Sequence, residues 1–507
     1  MNFSVRSFLA GGWTYISRAW AVLLIALLQL VLHLWVAAHD NFFRDEFYYI
    51  AASRHLDFGY VDFPPLVAWA TAGVRLVLGD SLVALRLLPA LAAVLVILLT
   101  ADMVARLGGG LPAQVLAAVS VGLGPVFIGA SGLMSTDPLD QLWWAVCAWI
   151  LLRLIKDQNR RLWVLFGLSA GLGLLSKLTV GFYAGALLLG LLLSGQRKLL
   201  FNRGLILGGV LAILLISPYI LWNAAHRFPT LEFTRSYAGG KTYQQVGPLE
   251  FVIQQITVHN PVAFPLWLGA LYFLVFTERG KPYRLFAWAH ILLLVLFALL
   301  KTKFYWLSPA YPALFAFGAY GLELLIQQRP RLAWLQPTAI GVIGLTGLLL
   351  VPFAIPILPV QTYIQLSGSS TLPQVFADRY GWHELVRDVK QAYDKLSPPE
   401  KAEACVFTSN YGEAGAIDFY GPALGLPKAI SGHNSYFVWG PRGCTGNVLI
   451  TVNVPMADLV QSFDSVQPGG SIACAYCMPY ENNAPIFIAR GLKVNLQQAW
   501  PGVKDFE

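Results

Sequence analysis

A handful of charged residues stand out because each interrupts an otherwise apolar context. Asp45 and Glu46 open RDEFYYIAASRHL, Asp62 precedes Pro64-Pro65 in GYVDFPPL, and Asp137 lies in MSTDPLDQLWW. A carboxylate held at a water–lipid boundary can act as general base on a hydroxyl acceptor. An acid at a helix start can equally cap free backbone N–H groups and complement the helix dipole. Both readings apply to Asp45 and Glu46, and Asp137 followed by Pro138 is also an ordinary helix start. The Pro64-Pro65 turn is rigid enough to hold the Asp62 carboxylate in place.

The basic candidates are Lys177 in GLLSKLTVGFY, and Lys301 with Lys303 just before FYWLSPAYP. They either snorkel to lipid headgroups or form a cationic clamp for a phosphate ester. Arg54 joins them as a phosphate contact, and Tyr48, Tyr49, Tyr60 and Tyr305 are candidate substrate contacts. His259 in QQITVHNP falls inside an apolar stretch, where an ionisable group is a functional hypothesis by default. It is either satisfied by a polar neighbour or, with Asp62, a ligand for a divalent metal ion. The chain carries no Walker A loop, no GxGxxG after a strand, no GxSxG and no HExxH, so a nucleotide-driven pump and the common soluble hydrolases have no support.

The elements that must position these residues follow from composition. Of 507 residues, 56% are hydrophobic and only 12% charged, against about 25% charged in soluble domains. One large soluble domain, a disordered chain and a small disulfide scaffold are excluded; the expected class is mostly α, a polytopic transmembrane helical bundle. Apolar stretches predict eleven spans, near 19–38, 83–105, 112–130, 138–155, 162–175, 178–195, 204–222, 250–276, 285–300, 304–326 and 337–356. The first reads as a retained anchor, because its apolar run is long and no small-residue cleavage site follows it.

Charge divides unevenly. Residues 1–356 carry 25 Lys/Arg and 14 Asp/Glu, whereas residues 357–507 carry 10 and 13. The basic excess belongs to short loops: Arg153, Lys156, Arg160 and Arg161; Arg197, Lys198 and Arg203; Arg279, Lys281 and Arg284; Arg329 and Arg331. With Arg6 and Arg18 these mark the cytoplasmic side, which argues against nucleic acid as a partner. An odd span count then places the tail outside, in the periplasm of a Gram-negative source.

Two outside segments are long. The first, 39–82, is expected to form two short helices at the membrane surface, and the second runs from about 223 to 248. From 357 to 507, β-rich runs (ACVFTS, NVLITVN, PIFIAR) alternate with helix-like WHELVRDVKQAYDKL, which predicts a small α/β domain after a transmembrane domain at 1–356. Cys405, Cys444, Cys474 and Cys477 lie in that tail; one or two disulfides with three possible pairings are expected, and Cys474–Cys477 could instead be a redox pair or metal ligands.

RDEFYYIA, GYVDFPPL, STDPLD, LSK at 175–177 and KTKFYWLSPAYPAL, in this order over roughly residues 40–320, resemble the GT-C class of membrane glycosyltransferases. The likeness is to the bacterial relatives of dolichyl-phosphate-mannose protein mannosyltransferases and of the lipid A aminoarabinose transferase. The resemblance implies a polyprenyl-phosphate sugar donor, inversion at the anomeric carbon, and a lipid, glycan or protein acceptor. It makes Asp45 the catalytic base, Asp137 a second active-site acid, and Lys301 or Lys303 phosphate contacts. Where aminoarabinose transferases tend to have Glu-Lys-Pro-Pro, this chain has Asp62-Phe63-Pro64-Pro65, so one lysine is missing. SNYGEAGAIDFYG and GHNSYFVWGP resemble tail segments of uncharacterised bacterial members. The competing class is a lipid-linked-glycan transporter or flippase, which would place polar residues at the bilayer midplane within inverted repeats; no internal repeat is present.

Overall fold

The computed structural model describes residues 19–238, 246–369 and 371–507; Arg6 and Arg18 lie outside the described residues. Among the described residues, seven helices are long and apolar enough to span a membrane: Trp20–His39, Leu82–Leu107, Thr136–Asp157, Arg203–Ala225, Lys281–Leu299, Phe304–Gln328 and Pro330–Ala354. Two bent pairs, Leu111–Gly122 with Pro125–Ser131 and Pro248–Thr257 with Pro261–Phe276, raise the count to nine if each is one span. The other two expected spans are apolar helices of only 15 and 14 residues, Leu162–Ser176 and Thr179–Leu192. At 1.5 Å per residue these reach about 20 Å, short of a bilayer core of about 30 Å.

The chain divides into two compact units. One comprises the chain up to Ala38 with Arg86–Pro218 and Gln245–Ile357; the other comprises His39–Leu85, Tyr219–Gln244 and Leu358–Glu507.

The first unit is a helical bundle whose fully buried side chains include Trp144, Trp163, Phe297 and Phe315. Small residues let its helices touch. A Cβ on Gly167 would collide with the backbone of Gly208, so Leu162–Ser176 and Arg203–Ala225 cross backbone to backbone. The span expected near 250–276 is a pair of helical segments, Pro248–Thr257 and Pro261–Phe276, bent by 94°. The cause is local: Asn260 takes a positive φ of 76°, and Pro261 cannot donate a backbone N–H. Freed backbone groups need partners inside a membrane. Val126 N–H donates to the Val258 carbonyl at 3.1 Å, and the Asn260 side chain donates to the Ile343 carbonyl at 3.0 Å and accepts from Thr346 at 3.1 Å. His259 therefore sits at a helix break, not part-way along a continuous helix.

The second unit contains the two short helices expected in the first outer segment, Arg44–Arg54 and Leu66–Leu78. Its tail forms a five-stranded sheet of β1 (Ala404–Thr408), β2 (Ala429–Ser431), β3 (Val448–Val452), β4 (Phe463–Ser471) and β5 (Pro485–Leu492), in the order β2-β1-β3-β5-β4. β1 pairs in parallel with β2 and β3, whereas β5 runs antiparallel to β3 and β4. Parallel neighbours need a crossover, and β1 reaches β2 through the helix Tyr411–Tyr420. The cysteines pair as Cys405–Cys444 and Cys474–Cys477, one of the three pairings open from sequence.

Candidate functional site

The second unit gathers carboxylates around the helix Arg44–Arg54. Asp45 lies in its first turn with its side chain 33% exposed. The Tyr411 hydroxyl donates to Asp45 Oδ1 at 2.8 Å, and Arg44 Nε is 3.6 Å from the same oxygen. Oδ2 takes no hydrogen bond from the described residues. Glu46 turns inward, fully buried, and its carboxylate accepts the Phe43 backbone N–H at 2.8 Å, closing the helix start. Adjacent acids thus have different surroundings, one open and one capping.

Asp62 is held by Tyr48, whose hydroxyl is 2.7 Å from Asp62 Oδ1 and 2.7 Å from Ser435 Oγ. Burial pushes the Asp62 carboxyl up to about 7; the Tyr48 hydrogen bond opposes the rise and the Asp45 charge adds to it. Asp62 keeps part of its surface open to solvent, which tempers the energetic weight of that shift. Its sign is still testable. The folded state holds the Asp62 proton more tightly than the unfolded chain, so it loses stability as pH rises from 3.8 towards 7. Thermal unfolding in detergent should therefore show wild type falling relative to Asp62→Asn over that interval; parallel curves would contradict it.

Of the other candidates here, Arg54 donates to the Asp418 carbonyl at 2.9 Å. Tyr60 donates to the carbonyls of Ala52 and His55 at 3.1 and 3.0 Å, a structural role inside its own loop. Tyr49 packs edge-on against Phe63.

The first unit holds the lysines. Lys177 occupies the junction between Leu162–Ser176 and Thr179–Leu192 and forms an ion pair with Asp137, in the first turn of Thr136–Asp157. Its ammonium lies 5.6 Å from the Tyr305 ring centre and 5.7 Å from that of Trp306, and Lys303 approaches Tyr305 at 5.8 Å. The structure thus brings together Asp137, Lys177, Lys303 and Tyr305. Lys301 is exposed at a positive φ of 51°. Sequence reasoning missed Asp140, one turn after Asp137, which is buried and accepts from Thr179 Oγ1 at 2.7 Å.

His259 is completely buried, stacked 3.7 Å from Tyr311, with Nδ1 2.8 Å from the Gln255 carbonyl. Its Nε2 has no partner among the described residues. No three His, Cys, Asp or Glu side chains among the described residues gather into a set able to hold a metal ion. Asp62 and His259 alone do not supply the ligand count of a metal centre, so no chemistry is assigned to a metal at these residues.

The fold is similar to those of solved proteins. ArnT from Cupriavidus metallidurans in the apo state superposes with a TM-score of 0.61 at 15% identity, covering 95% of this chain and 98% of ArnT. The same protein bound to undecaprenyl phosphate gives 0.61 at 13%, covering 94% and 98%. The chain has an ArnT-like fold. A further structural neighbour is the archaeal oligosaccharyltransferase AglB from Archaeoglobus fulgidus, in complex with an inhibitory peptide and a dolichol-phosphate, with a TM-score of 0.52 at 11% identity over 87% of this chain and 70% of that one.

In sequence, the family model for dolichyl-phosphate-mannose-protein mannosyltransferase matches residues 62–222 of this chain. A lipid A galacturonosyltransferase, RgtD from Rhizobium johnstonii, is 27% identical over 288 residues, 54% of this chain. The match spans 59% of that relative's length. The helices long and apolar enough to cross a membrane agree with a multi-span membrane protein.

The residues that sequence reasoning did not nominate in the second unit are Arg44, Tyr411 and Ser435. Arg44 directly precedes Asp45, and the other two lie in the tail segments SNYGEAGAIDFYG and GHNSYFVWGP.

Proposed function

We propose that this protein transfers a sugar from a polyprenyl-phosphate donor to an acceptor hydroxyl or phosphate at the outer face of a bacterial inner membrane, with inversion. The observation that carries the reading is Asp45: a carboxylate fixed through one oxygen, with the other open. Asp45 takes the acceptor proton, the acceptor oxygen attacks the anomeric carbon, and the bond from that carbon to the phosphate oxygen breaks. Its electron pair leaves with the polyprenyl phosphate. Lys177, with Lys303 and Tyr305 beside it, stabilises the charge that appears on the leaving phosphate. Asp137 orients Lys177, and Glu46 keeps its capping task.

The basic loops support an outer-face orientation. The likeness to ArnT, solved with undecaprenyl phosphate, supports a lipid phosphate as sugar carrier. The name of RgtD, a lipid A galacturonosyltransferase, and the undecaprenyl phosphate bound to ArnT together suggest the first probes, undecaprenyl-phosphate galacturonic acid with lipid A as acceptor. Purified protein in proteoliposomes should form a glycosylated product and release undecaprenyl phosphate in equal amounts. If a panel of undecaprenyl-phosphate sugars and lipid A, glycan and peptide acceptors gives only movement of the lipid between leaflets and no new covalent product, the protein is a transporter.

A further inference from the structure

We infer that the tail domain completes the acid centre: Tyr411 is a positioning residue that fixes the Asp45 carboxylate for proton abstraction, and SNYGEAG is the segment that delivers it. This rests on the reading of Asp45 as base.

Delivery begins with the helix start. The Asn410 side chain accepts the backbone N–H groups of Gly412 and Glu413 at 2.9 and 3.0 Å, and the Glu413 carboxylate reaches back to Ser409 N–H at 3.0 Å. This reciprocal cap holds Tyr411 in the first turn. Two glycines then allow close approach. A Cβ on Gly412 would overlap Arg44 Cγ, and one on Gly415 would stand 2.8 Å from Phe47 Cβ. The helix Tyr411–Tyr420 therefore lies directly against Arg44–Arg54, which larger residues at 412 and 415 would prevent.

The Tyr411 ring is clamped between Tyr48 and His433, stacked at 4.4 and 4.6 Å between centres. Its hydroxyl accepts from Arg44 Nη2 at 3.3 Å and donates to Asp45 Oδ1 at 2.8 Å. Arg44 is itself anchored, donating to the Tyr480 hydroxyl at 2.8 Å and lying 3.9 Å from Asp378. A chain Arg44–Tyr411–Asp45 thus has one direction, Arg44 Nη2 donating to Tyr411 and Tyr411 to Asp45 Oδ1, and it leaves Asp45 Oδ2 for a substrate proton. Both tail segments left without a task by the sequence are absorbed: Ser435 of GHNSYFVWG secures Tyr48, and Trp439 stacks on His55 at 4.4 Å.

A hydrogen bond donated to one carboxylate oxygen fixes the direction in which the other points. Losing the Tyr411 hydroxyl should therefore leave the Asp45 carboxylate free to turn and blur its aim at the acceptor proton. The charged and titratable groups around it are Arg44, Asp62, Asp378, Tyr48 and His433, none of which Tyr411→Phe removes.

The test compares Tyr411→Phe with wild type and Asp45→Asn in proteoliposomes containing undecaprenyl-phosphate galacturonic acid and lipid A, or whichever pair proves active. Tyr411→Phe should lower kcat per folded molecule about tenfold with little change in donor KM. Thermal unfolding of the same preparation gives the folded fraction, and donor KM does not depend on how much of the variant folds, so partial misfolding leaves the readout intact. An unchanged kcat per folded molecule, or a loss that appears in donor KM alone, would reduce Tyr411 to a packing residue while leaving Asp45 as base. Full activity in Asp45→Asn would instead remove the reading on which the inference rests.

Discussion

Asp45→Asn is expected to cut kcat by about 10²–10⁴-fold while leaving donor binding near wild type. The substitution is close to isosteric and sits in the first turn of Arg44–Arg54, where the Asn side chain can still accept from Tyr411. What it cannot do is take a proton. The helix-cap alternative makes the opposite forecast, because Asn caps a helix about as well as Asp. A structural Asp45 would therefore leave an active variant of near-normal stability. Glu46 gives the internal contrast: with no exposure and its carboxylate spent on Phe43 N–H, it is the acid of the pair that closes the helix. Single-turnover transfer with lipid-linked donor, measured beside thermal unfolding, separates the two explanations.

The second large effect is expected at Lys177. Its ammonium is shared between Asp137 and the faces of Tyr305 and Trp306. In Lys177→Met the departing phosphate would lose a cation and also meet an Asp137 carboxylate no longer neutralised. The two penalties act in the same direction, so transfer should fall by about 10²–10³-fold, the range for removing one transition-state charge partner. Lys177→Arg should retain a measurable part of the rate, since it keeps the charge but not the point geometry of an ammonium. A purely structural pair would behave differently. Breaking it would lower thermal stability, and rates per folded molecule would match wild type for Met and Arg alike.

Much of the first unit was legible because apolar length is a one-dimensional property. Every predicted span corresponds to a helix or bent pair, and the two that fall short, Leu162–Ser176 and Thr179–Leu192, are separated by Lys177 itself. The 94° break at His259 was not legible from hydropathy. It depends on Asn260 entering a positive φ and on Ile343 and Thr346 compensating it from more than eighty positions away. The acid centre followed the same rule. Asp45 and Asp62 were visible as charges in an apolar setting, whereas Tyr411 is one tyrosine among 21 and becomes special only through its ring partners and the glycines behind it. The disulfide pairing likewise needed the sheet, since β1 carries Cys405 on a strand whose neighbours come from later in the chain.

The 366 positions separating Asp45 from Tyr411 also order events in time. During synthesis at about 5–20 residues per second, roughly 20–70 s pass between the emergence of the acid and that of its tyrosine. Throughout that interval Asp45 exists without the hydroxyl that aims it, and Lys177 has already been made. A chain truncated anywhere before residue 411 would carry the expected base and phosphate contact yet lack an aimed carboxylate. With Asp45 as the proposed base, the long-range contact would act as a completion check, tying the proposed activity to a folded tail.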